Sequence, residues 1–166
     1  DELLDKLVKT LVMDNNFNKI IESYASKGLK VFPVDGASKA PAKGFKWRIV
    51  EQQSLEELMV NFHDYSTTSV GLAMCDDLET IDVDTKYDLD GDLWKNVKRC
   101  LYKVFGKNTP YVVQKTQSGG YHVIYRCSET EGNKKIASRV GVEGESKKVV
   151  LIESRGKGGY ILVSPS

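Results

Sequence analysis

The chain has 166 residues, 40% hydrophobic and 28% charged, enough to bury one core and too polar for a membrane-embedded protein. No apolar run nears the ~20 residues of a transmembrane helix, and the opening Asp-Glu-Leu-Leu has no signal-peptide pattern. The net charge of +1 neither demands nor excludes a polyanionic partner, so charge location has to decide. Cys75, Cys100 and Cys127 are odd in number, far apart and without Cys-x-x-Cys spacing, which indicates neither a disulfide framework nor a zinc site and favours a reducing cytoplasm. A start without Met and a stop at Ser164-Pro165-Ser166, just after a strand-like run, suggest a single domain cut from a longer protein.

Leu3, Leu4, Leu7, Leu11 and Val12 recur at helical spacing, as do Phe17, Ile20, Ile21, Tyr24 and Ala25, predicting two amphipathic helices with Gly28 ending the second. Leu29 to Val34 reads as a buried strand. A polar loop follows, residues 38–47, whose lysines, Lys39 among them, suit phosphate or plain solvent. Ser54 and Glu57 form a capping box that opens a short helix through Phe62. Val70 to Cys75 is a strand, and the run Leu78 to Asp84 is expected to return beside it as a hairpin.

That run carries the first chemistry. Alternation along a strand puts Asp82 and Asp84 on one face about 7 Å apart. Two like charges so placed suit a hard divalent cation, with a solvated face as the plain alternative. The acidic stretch Asp88 to Asp92 lacks the Glu that a calcium loop needs and reads as the entry to a helix carrying Leu93, Val97, Leu101 and Val104. Tyr111 to Thr116 and Tyr121 to Arg126 are strands joined by Gln117-Ser118-Gly119-Gly120. This turn suits a phosphate oxygen beside His122, or is an ordinary hairpin turn with a rim histidine. The segment 128–148 is polar and reads as a mobile excursion. Val149 to Arg155 is a buried strand ending in a third acid, Glu153, and in Arg155; Gly156-Lys157-Gly158-Gly159 and a last strand over Tyr160 to Val163 follow.

Taken together, Asp82-x-Asp84, Ser118-Gly119-Gly120-x-His122, and an apolar strand ending in Glu153 and leading into Arg155-Gly-x-Gly-Gly-Tyr resemble the three-motif core of the archaeo-eukaryotic primase superfamily. Phe32-Pro33-Val34, Lys39-Ala40-Pro41 and Gly44-Phe45-Lys46-Trp47 narrow the resemblance to the bifunctional primase-polymerase domain of plasmids, phages and mobile elements, over roughly residues 17 to 166. The helix before residue 14 is extra to that pattern, and the acidic stretch before Trp94 does not map onto it.

The resemblance implies an α/β (α+β) fold with an RRM-like sheet, and template-directed DNA synthesis from (d)NTPs, a primer and a single-stranded DNA template. Asp82, Asp84 and Glu153 would hold two Mg²⁺ or Mn²⁺ ions. Ser118, Gly119, Gly120 and His122 would bind the triphosphate, supported by Lys39, Lys115, Arg155 and Lys157. A helicase domain or protein following Ser166 is an expected partner.

From Lys115 to Lys157 there are nine Lys or Arg against five acids. Lys134, Lys135, Arg139, Lys147 and Lys148 are therefore candidate template contacts, with a solvated loop as the alternative. Two other classes fit some of the residues. A metal-dependent nuclease could use the same three carboxylates, and an inactive RRM-like module could bind single strands through Tyr121 and Tyr125.

Overall fold

The computed structural model describes residues 16–166 apart from 64 and 66. The helix expected over Leu3 to Val12 lies outside those residues. The chain forms two compact units, one made of the described residues up to Ala73 with Leu162–Ser166, the other Met74–Ile161.

In the first unit, α1 is helical over residues 16–25. It ends as its sequence predicts: Gly28 takes φ 75° while its N–H donates to Ala25 O at 2.9 Å and that of Leu29 to Tyr24 O at 3.2 Å. Strand β1 (Val31–Val34), wholly buried, pairs antiparallel with β2 (Ser69–Ala73). The loop after β1 includes an isolated bridge from Val34 to Pro41 and runs into a 3₁₀ turn over Trp47–Gln52, past the polar stretch 38–47. Its aromatics serve the core, since Phe45 and Trp47 stack on buried Phe32 with centroids 6.1 and 5.5 Å away. Helix α2 (Leu55–His63) opens on the predicted reciprocal cap: Ser54 N donates to Glu57 Oε2 at 2.7 Å and Glu57 N to Ser54 Oγ at 3.3 Å.

The second unit is a five-stranded antiparallel sheet in the order β4-β5-β3-β7-β6. Its strands are β3 (Leu78–Val83), β4 (Tyr111–Lys115), β5 (Tyr121–Arg126), β6 (Lys134–Val140) and β7 (Lys148–Arg155). Helix α3 (Leu93–Phe105) covers one face, where Val97 and Leu101 pack with Val83 and Val123, flanked by Ile81, Trp94, Tyr121, Tyr125 and Ile152. The fold is thus mixed α+β with antiparallel sheets, as expected. The acidic stretch does open α3, because Asp88 Oδ2 accepts the Leu93 N–H at 2.8 Å.

Two expectations are overturned. β2 and β3 do not form a hairpin: β2 belongs to a three-stranded sheet in the order β1-β2-β8, with β8 at Tyr160–Val163, whereas β3 lies between β5 and β7. Four of the five β2 residues are buried, the pattern of a strand covered on both faces, and β2 lies between β1 and β8. Nor is segment 128–148 an unstructured excursion. It contains β6, whose polar residues Lys134, Lys135, Ser138 and Arg139 disguise an edge strand, where charge is tolerated.

Candidate active site

Antiparallel register places directly paired residues on the same face of a sheet. Asp82 pairs with His122 on one side and Glu153 on the other; His122 pairs with Gln114, and Glu153 with Lys135. One side chain from each of the five strands therefore forms a row, Gln114, His122, Asp82, Glu153, Lys135. Because Ile81, Val83 and Ile152 pack on α3, alternation puts this row on the opposite face.

The geometry within the row is electrostatic. His122, its side chain 10% exposed, brings Nε2 within 3.6 Å of Asp82 Oδ1. Arg155 reaches back two positions on its own strand and donates from Nη2 to Glu153 Oε1. Asp84 lies one residue past the end of β3, at the start of a 3₁₀ turn over Thr85–Tyr87, and Lys86 Nζ stands 3.6 Å from its Oδ1. Its backbone still follows β7, since Asp84 N donates to Leu151 O at 2.9 Å. Each of the three carboxylates thus faces a basic side chain, which offsets the repulsion that the close register of Asp82 and Glu153 would otherwise carry.

The glycine-rich turn is fitted against this group. Gly119 takes φ 87°, a left-handed conformation that a Cβ would strain. Gly120 is needed for space, because a Cβ there would meet Val83 O at 2.4 Å. Thr85 Oγ1 donates to Gly119 O at 3.1 Å, and the Ser118 and Thr116 hydroxyls lie 3.3 Å apart. The turn is thereby pinned to the end of β3, beside Asp84.

Other predicted residues fall elsewhere. Lys115 pairs with Tyr121, whose ring packs on the α3 side, so it is on the face away from His122. Lys157 is exposed in the turn between β7 and β8. Lys39, in the first unit, has φ 61° and donates its N–H to Asp35 O at 2.8 Å. Lys134 pairs with Glu131 on the α3 side of β6, whereas Lys135 is in the row. The Arg139 guanidinium is engaged locally: two nitrogens donate to Glu145 at 2.6 and 2.8 Å, and Nε donates to Tyr87 O at 2.8 Å. Lys147 and Lys148 are exposed where the β6–β7 connection ends.

Sequence reasoning missed Gln114, Thr85 and Lys86. Gln114 was recoverable: a hairpin closing Lys115 on Tyr121 must close Gln114 on His122. Lys86 sits two positions after Asp84, but a 3₁₀ turn was not foreseen there.

Three carboxylates on and beside one strand pair are the oxygen-rich donor set that hard divalent cations prefer, so the residue types fit such ions. Among the described residues no group of three or more His, Cys, Asp or Glu side chains is already disposed to hold one. His122, Lys86 and Arg155 contact the three carboxylates, and holding an ion would require those bases to yield. Among the described residues no helix is long and apolar enough to cross a membrane.

Residues 21–166 match the family described as bifunctional DNA primase/polymerase, N-terminal. No curated protein matches the chain.

Proposed function

The chain belongs to the bifunctional DNA primase/polymerase N-terminal family, and from that premise we propose that it extends a primer on a single-stranded DNA template by nucleotidyl transfer at the row through Asp82. The observation that carries this reading is the register that sets Asp82 between His122 and Glu153, with the glycine turn fixed beside Asp84.

In the reaction the primer 3′-oxygen bonds to the α-phosphorus of an incoming (d)NTP, the α–β phosphoanhydride breaks, and pyrophosphate leaves. Asp82, Asp84 and Glu153 would hold two Mg²⁺ or Mn²⁺ ions, which when bound supply activation of the hydroxyl and neutralisation of the triphosphate. Ser118 and the amide of Gly120 receive triphosphate oxygens, while the Gly119 N–H donates to Thr116 O at 3.0 Å and holds the turn in shape. His122 is a phosphate ligand beside them, a reading supported by its register opposite Asp82. Arg155 has a double part: it neutralises Glu153 in the free protein and turns to the triphosphate when Glu153 takes a cation. Lys157, in the turn after β7, is a supporting cation. Gln114 joins this set as a neutral hydrogen-bonding group beside His122.

The test is primer extension with Mg²⁺ or Mn²⁺ and each nucleotide set, alongside labelled DNA incubated with metal and no nucleotides. Polymerisation requires triphosphates and releases pyrophosphate; degradation without them would turn the assignment to a nuclease. Asp82→Asn/Asp84→Asn should lower extension on the order of 10³-fold, the scale of losing metal-assisted charge stabilisation. Near-normal extension by that variant would defeat the assignment of the carboxylates.

A further inference from the structure

Between Leu93 and Ser128 the sequence has no Asp or Glu and carries seven Lys or Arg, five of them from Lys95 to Lys107. At 100° per residue, Lys95, Lys98, Arg99, Tyr102 and Lys103 fall within an arc of about 140° on α3. This arc faces away from the one through Val97 and Leu101 that packs beneath the sheet. All five residues are exposed, and Tyr102 retains 65% of its surface. Lys95 is 3.6 Å from Asp92, which trims one charge. From Lys95 to Lys103 the stripe runs about 12 Å along the axis.

We propose that this outer face of α3 binds single-stranded DNA, its cations lying along the phosphates and Tyr102 stacking on a base. The charge stripe selects a regular polyanion. An exposed aromatic among the cations selects unpaired bases, because a duplex hides its base faces and a lipid headgroup offers nothing to stack on. Since α3 lies on the face of the sheet away from Asp82, this contact is separate from the catalytic row and holds template that is not being copied. It relies on the chain acting on DNA, not on the roles given to Asp82, Asp84 or Glu153.

The experiment measures binding of a fluorescein-labelled oligodeoxythymidylate by anisotropy over a range of salt concentrations. Lys98→Ala/Arg99→Ala/Lys103→Ala replaces exposed helical residues by the best helix former, so folding is retained. It should flatten the slope of log K against log salt by about 2, at about 0.7 per lost phosphate contact. Tyr102→Ala should weaken binding about tenfold with the slope unchanged, the scale of one base stack. Asp82→Asn should bind the oligonucleotide as the parent does, and both α3 variants should keep the parent's extension rate at saturating primer-template. If Asp82→Asn/Asp84→Asn extended normally while the α3 effects held, the catalytic assignment would fall and this surface would stand. An unchanged slope in the triple variant would overturn the proposal. So would a Tyr102→Ala loss that is equal on blunt duplex, or cations that matter for phosphatidylserine vesicles and not for the oligonucleotide.

Discussion

Asp82 shows how a partner changes what a substitution does. Two carboxylates in direct cross-strand register would be stabilised by removing one, but here His122, Lys86 and Arg155 already face the three acids. The Lys86–Asp84 pair, the most exposed of the three, contributes about 0–1 kcal/mol. Asp84→Asn should therefore leave the metal-free melting temperature within about 3 °C of the parent by calorimetry, while extension is lost. Gly120→Ala should behave differently. A methyl group pressed against Val83 O has to displace the turn, at about 1–3 kcal/mol, and should raise KM for the nucleotide more than it weakens template binding. Lys134 and Lys135 provide a further contrast, adjacent in sequence and on opposite faces of β6. Lys135→Ala should raise KM for the primer-template several-fold and Lys134→Ala should not, a difference that steady-state kinetics reads directly. The acids, His122 and the glycine turn were legible because a period of two and a run of glycines are local signals. Membership of Lys135 in the same row as Gln114 was not, since it depends on pairing across four strand boundaries.

Strand β6 and its connection to β7 were hidden by their polarity, and the same polarity now explains how they are held. Arg139 grips Glu145 with two nitrogens, and the Val142 N–H donates to the same carboxylate. The Arg139 hydrogen bonds, then that backbone donor, hold the Glu145 carboxyl down at about 2 from its ordinary 4.5. A depressed carboxylate contributes stability that is fully present above the ordinary value and is lost as pH falls through the folded one. In urea unfolding, the deficit of Glu145→Gln relative to the parent should be constant above pH 4.5 and shrink as pH falls towards 2. A deficit that does not change with pH would mean the carboxylate charge plays no part. Arg139 also donates to Tyr87 O, so the clamp ties the β6–β7 connection to the turn that follows Asp84. The lost β2–β3 hairpin has a similar lesson: a short polar link, Asp76-Asp77, reads as a hairpin turn although each strand finds its partners elsewhere.

Over the whole chain, element types were legible from hydrophobic period, and which strands pair was not, because pairing is decided by contacts distant in sequence. β3 is the clearest case, bonded on one side to β5 and on the other to β7, which comes last among the strands of the five-stranded sheet. Synthesis and folding therefore have an order. β3, α3, β4 and β5 are contiguous and can assemble early, stacking Trp94 on Tyr121 at 3.9 Å between centroids. Glu153 reaches Asp82 only after β6 and β7 have been made and docked, a non-local step that sets the slower time scale. In a Trp47→Phe background, where Trp94 alone reports, refolding fluorescence should settle before extension activity returns. A nascent chain stalled short of β7 would already look folded by that signal and still lack the strand that sets Glu153 beside Asp82.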